Sequence, residues 1–192
     1  LDLSGAHLSY GDFEEATFQA KKAIKLGGAG LAHADLSGSK FTATESGPYP
    51  KYHALIDFAG ADLANADLSG SELTAKGLVA GSGIGKIDFD GANLTNADLS
   101  GSKLTAEGSY ASFITFRDAN LDHADLSGSE LTVKARLPGE IDFSRANLAH
   151  ADLSGSTLTA DAGSYESIIS FADVANLASA DLSGSTLTAK TR

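Results

Sequence analysis

The chain has 192 residues, a length that suits one domain, and 25 Asp and Glu against 14 Lys and Arg give it a formal net charge of −11. That balance disfavours polyanionic partners, nucleic-acid phosphates and anionic membrane surfaces alike. Cysteine is absent, so disulfides and thiolate chemistry are excluded and the redox compartment stays open. No apolar run reaches the roughly 18 residues of a membrane-spanning helix, so membrane insertion is not expected, and no signal peptide is visible. The chain starts at Leu1 and contains no Met, which is expected of a processed mature form or of a segment of something longer.

Residues 1–20 carry a loose five-residue rhythm centred on Leu3, Leu8, Phe13 and Phe18. The rhythm sharpens over 24–43, which begins Ile-Lys-Leu-Gly-Gly. Over 56–75 it reads Ile-Asp-Phe-Ala-Gly, Ala-Asp-Leu-Ala-Asn, Ala-Asp-Leu-Ser-Gly, Ser-Glu-Leu-Thr-Ala. Residues 87–106, 114–133 and 141–160 repeat that pattern, and 169–189 fits with one extra residue, placed at Val174 as a bulge. The string Ala-Asp-Leu-Ser-Gly-Ser recurs from Ala34, Ala66, Ala97, Ala124, Ala151 and Ala180 at spacings of 32, 31, 27, 27 and 29 residues. Repeats of this length predict stacked units along the whole of 1–192.

A period of five fits neither a helix nor a simple strand. The apolar centre of each quintet and the small residue two before it must share the inside, and the other three positions face water. This pattern resembles the pentapeptide-repeat family, whose consensus is Ala-Asp/Asn-Leu-x-x, over about three quarters of the chain. The resemblance implies an all-β fold: a right-handed, square-sided β-helix of seven coils, four quintets to a coil, with inserts at one corner.

Stacking about 4.8 Å apart turns equivalent residues into columns. Phe58, Phe89, Phe116, Phe143 and Phe171 form an inner aromatic column that Leu3 and Leu26 begin, with Leu8 through Leu177 as a second. Ser39, Ser71, Ser102, Ser129, Ser156 and Ser185 hold a tight inner position where their hydroxyls are expected to meet neighbouring backbone carbonyls. Asn93, Asn120, Asn147 and Asn176 predict an amide ladder. Lys40, Glu72, Lys103 and Glu130 alternate in sign on the fourth face and favour correct register.

Outside, Asp12, Asp35, Asp67, Asp98, Asp125, Asp152 and Asp181 form a carboxylate column. Neighbours there repel by roughly 0.9 kcal/mol in water, unless backbone and Ser groups absorb the charge. Asp98, Asp125 and Asp152 are the candidate ligands for a divalent cation, Ca²⁺ or Mg²⁺, since hard oxygens suit these ions; no EF-hand loop accompanies them. His123 and His150 fall in one corner column and are candidate metal ligands that lack a third partner by spacing. No catalytic constellation is visible: the serines belong to the repeat rather than to a Gly-x-Ser-x-Gly elbow, and the glycines of 77–85 lack phosphate-loop context. The chain is read as non-enzymatic.

All six inserts (21–23, 44–55, 76–86, 107–113, 134–140 and 161–168) follow a fourth quintet and so share one corner. They carry Tyr49, Tyr52, Tyr110 and Tyr165, with Lys86 and Arg136 among their cations, and make that edge the candidate surface for a protein partner. No capping segment is recognised after residue 189, and the first coil stays in phase. The leading expectation is a structural protein whose copies stack head to tail into an extracellular or cell-surface filament. Two alternatives stand beside it. Some members of the family resemble duplex DNA in shape and charge and bind DNA gyrase, which would place the acidic rod in the cytoplasm. The chain is alternatively one repeat segment of a larger secreted or surface protein.

Overall fold

The computed structural model describes residues 1–45, 53–78, 82–173 and 176–191. Among the described residues, two parallel sheets run the length of the molecule. One has seven strands, β1 (Thr17–Ala20), β3 (Lys40–Glu45), β5 (Glu72–Gly77), β7 (Lys103–Gly108), β9 (Glu130–Ala135), β11 (Thr157–Ala162) and β13 (Thr186–Thr191), hydrogen-bonded in that order. The other has six, β2 (Ala23–Lys25), β4 (His53–Asp57), β6 (Ile84–Asp88), β8 (Ser112–Thr115), β10 (Gly139–Asp142) and β12 (Ser167–Ser170). The remaining two faces are held by single parallel bridges, Asn93↔Asn120↔Asn147↔Asn176 on one and Asp12 through Asp181 on the other. The result is a four-sided β-solenoid.

The quintet produces this geometry through its last two residues. The Ala97 amide donates to the Leu94 carbonyl across a turn at 3.0 Å, and Asn96 within that turn has φ 55°. The fifth positions of the first three quintets of each coil adopt this left-handed conformation, which glycine at Gly70 and Gly101 takes without a steric cost and Asn tolerates. Each turn redirects the chain by one side of the square. Between turns, rung bonds alternate in direction: Leu94 donates to Asn120 at 2.7 Å and Asn120 to Ala92 at 2.9 Å.

The inside is one continuous apolar column. Phe58, Phe89, Phe116, Phe143 and Phe171 stack in sequence with ring centroids 5.0, 4.9, 4.8 and 5.1 Å apart. Phe41 meets this stack edge-on at 5.6 Å from Phe58 and lies flat on Phe18. The inner serines differ from expectation. The hydroxyls of Ser39, Ser71, Ser102, Ser129 and Ser156 are buried without a hydrogen-bond partner. Only at Ser185, among the described serines of this column, does the hydroxyl donate to a carbonyl, that of Leu182.

The insert corner is also different from a set of projecting loops. Strands of the seven-stranded sheet run past the fourth quintet, as β5 does to Gly77, and strands of the other sheet start ahead of the next coil, as β6 does at Ile84. The two sheets meet back to back in a drawn-out corner packed by small residues. A Cβ on Gly85 would lie 2.5 Å from the carbonyl oxygens of Ala75 and Glu107, so only glycine permits this approach.

Candidate functional surfaces

The acidic column owes its tolerance to local bonding. Asp67, Asp98, Asp125 and Asp152 each accept the amide two residues ahead through Oδ1, at 2.8, 2.8, 2.8 and 2.7 Å. At Asp35 the Ser37 hydroxyl and amide both donate to the carboxylate and hold its pKa below the ordinary value. Asp98, Asp125 and Asp152 sit one above another as bridged neighbours, each carboxylate turned to its own turn amide. The amide ladder is interrupted. Asn147 donates to Asn120 at 2.9 Å, but Asn120 donates to the Thr95 hydroxyl, which in turn donates to Asn93. Asn176 accepts the Ala178 amide. The alternating charges pair across rungs, Lys40 with Glu72 at 2.7 Å and Lys103 with Glu130 at 3.1 Å; their exposure limits the gain to less than about 1 kcal/mol each.

His123 and His150 stack at the corner with ring centroids 4.5 Å apart. The ligand that spacing did not supply lies next door in sequence: Asp122 Oδ1 is 2.9 Å from His123 Nδ1.

At the insert corner, Tyr49 and Tyr52 lie outside the described residues. Tyr110 and Tyr165 expose their rings, while backbone bonds link successive inserts: Leu137 donates to the Tyr110 carbonyl at 2.7 Å and Ser164 to that of Arg136 at 3.1 Å. Arg136 is exposed. Lys86 does not belong to a loop. It lies on β6, faces outward, and pairs with Asp88 and, at 3.9 Å, with Asp90.

Lys86 also lines a cleft of about 350 Å³ on the outer face of the six-stranded sheet, with His53, Leu55, Ile84, Phe113, Thr115, Arg117 and Glu140. The register that brings Leu55, Lys86, Phe113 and Glu140 onto adjacent strands builds it. Arg117 closes one side, bonding Asp142 through Nε and Glu140 through Nη2 at 3.3 Å. Burial opposes ionisation of Asp142, but bonds from Ser144 and Arg117 outweigh it and hold its pKa down. Burial, with Asp142 beside it, raises that of Glu140. Sequence reasoning missed this cleft, although a signal was present: the residue before each first-quintet Ile points outward at the centre of the face.

The last coil differs from the rest in exposure. Leu177, Leu182 and Leu187 are 45%, 37% and 45% exposed, whereas Leu148, Leu153 and Leu158 one coil earlier are 0%, 2% and 1%. β1 and β13 are the edges of their sheet.

No curated protein matches the chain. Among solved structures it is similar to a pentapeptide repeat protein of the Arabidopsis thaliana thylakoid lumen, at 23% identity over 65% of this chain and 63% of that one, with a TM-score of 0.24. It thus spans less than two thirds of that relative. It is also similar to HetL of the cyanobacterium Nostoc, a pentapeptide repeat protein involved in heterocyst differentiation regulation, at 27% identity, 97% and 81% coverage and a TM-score of 0.18. A third is QnrB1, a plasmid-mediated fluoroquinolone resistance protein, at 18% identity, 92% and 84% coverage and a TM-score of 0.26. The family model of pentapeptide repeats matches in eight copies over residues 56–75, 85–106 and 140–160. With the quintet turn and the four-sided stack that it builds, the eight copies of this family model identify the chain as a pentapeptide-repeat protein.

Proposed function

We propose that this chain is a non-enzymatic structural subunit whose last coil docks on the first coil of a second copy, extending the solenoid into a filament. The observation that carries the reading is the half-exposed row Leu177, Leu182 and Leu187 on an edge coil. Continuing the internal register sets Leu177 over Leu8, Leu182 over Phe13 and Leu187 over Phe18. The joint then reproduces an internal step, including the Asp-on-Asp rung that every pair of neighbouring coils already carries. Fully burying one such side chain is worth about 1.5–3 kcal/mol, and half of that remains to be gained here. Three leucines plus edge hydrogen bonds therefore face an association cost of about 4–15 kcal/mol, so joining is concentration-dependent.

Sedimentation and electron microscopy over a concentration series test this. Rods lengthening with concentration are expected, and Leu182→Lys with Leu187→Lys should hold the protein as folded short monomers. Wild-type protein that stays monomeric throughout overturns the reading. A supercoiling assay with DNA gyrase then tests the second reading, an acidic DNA mimic, which the continuous Asp column favours.

A further inference from the structure

We propose that Asp122, His123 and His150 bind a divalent transition ion, with Zn²⁺ as the reference metal. The corner column runs Tyr10, His33, Asn65, Asn96, His123, His150, Ser179, and each of these residues has a positive φ between 55° and 60°. That conformation is imposed by the quintet turn, so the fold fixes where each side chain leaves the backbone. His123 and His150 are the one adjacent His pair in this column; two Asn rungs separate them from His33, which instead stacks on Tyr10.

Rung bonds hold the pair's backbones in step: His123 donates to the Ala149 carbonyl at 2.9 Å and His150 to that of Ala178 at 2.8 Å. The two rings consequently lie 4.5 Å apart with 28° between their planes. One ligand atom from each of Asp122, His123 and His150 lies within 4.8 Å of the others. Bonds of about 2.0–2.1 Å to a tetrahedral ion place ligands roughly 3.3 Å apart. The Asp122–His123 separation of 2.9 Å is already near that value, and the His150 ring has to tilt inward by up to about 1.5 Å to close the rest of the 4.8 Å span. Its exposure leaves room for that rotation.

Two imidazole nitrogens and one carboxylate oxygen select an ion of borderline softness over Ca²⁺ or Mg²⁺, which prefer all-oxygen shells. The fourth position stays open to water. The net charge of −11 raises the local concentration of any cation. The single Asp carboxylate neutralises half of the ion's charge, and proton competition makes binding weaken as pH falls.

Calorimetric titration of the whole chain with ZnCl₂, kept dilute enough to stay monomeric, tests the site independently of end-to-end docking. One ion per chain is expected. His123→Asn and His150→Asn are suited to the test because Asn already occupies this turn position at Asn65 and Asn96, so folding is preserved. Each, like Asp122→Asn, should weaken binding at least about tenfold, because losing a direct ligand costs no less than the roughly 10–100-fold of losing an outer-shell partner. His33→Asn should leave binding unchanged, and CaCl₂ should give no heat of binding at the site. Absence of saturable Zn²⁺ binding, or binding unaltered in the double His123→Asn, His150→Asn variant, overturns the proposal.

Discussion

Replacing Ser102 by Ala should make the protein more stable. The Ser102 hydroxyl is buried, with the residue 1% exposed, and has no hydrogen-bond partner. Ala97, at the equivalent place in the preceding quintet of the same coil, is also 1% exposed, so the solenoid already accommodates a methyl group there. An unmade buried hydrogen bond costs about 1–3 kcal/mol. Taking the lower figure, Ser102→Ala gains about 1 kcal/mol, or about 2–4 °C in Tm for a chain of this size. The triple variant Ser71→Ala, Ser102→Ala, Ser129→Ala should gain about 3 kcal/mol, less any coupling between adjacent rungs. Ser185→Ala is the internal control: its hydroxyl donates to the Leu182 carbonyl, so removing it should cost about 0.5–1.5 kcal/mol. Urea unfolding followed by circular dichroism, at monomeric dilution, reads all three. A loss of stability in Ser102→Ala equal to that in Ser185→Ala refutes the reasoning, because it means the interior hydroxyls are bonded.

Phe116→Ala opens the middle of the ring stack, where the neighbouring centroids are 4.9 and 4.8 Å away, and should cost about 3–5 kcal/mol in the same unfolding assay. Phe116→Leu should cost clearly less, since Leu26 fills the same column at 2% exposure; equal losses would show that the stack is not packed as described. Asp90 supplies a pH prediction. Burial, and Asp88 beside it, hold its carboxyl above the ordinary value. Its contribution to stability is therefore complete below the unfolded value of about 3.9 and is lost as pH rises through the folded one. Asp90→Asn keeps an acceptor for the Arg117 amide, 2.9 Å away, and should gain on the wild type as pH rises above about 4, with no gain below. A gap that is the same at every pH refutes this.

The quintet period alone located nearly every residue of the square section. Once each centre and the small residue two before it are turned inward, the rung partners of Asp98, Asn120 and Phe116 follow from counting, because the coils spend the same four quintets on the same four sides. The same reasoning stopped at the inserts. Their lengths are unequal, and no period says how many residues continue the strands. Backbone bonding across two approaching sheets decided that Ile84, Gly85 and Lys86 belong to β6, and with them the outer cleft. Side-chain orientation was equally out of reach. Thr95 breaks the amide ladder, and Asp122 swings onto His123, because short-range bonds compete with stacking at distances that a column count does not resolve. The chain's own letters therefore set which residues share a column, whereas only the folded backbone settled which neighbours in that column touch.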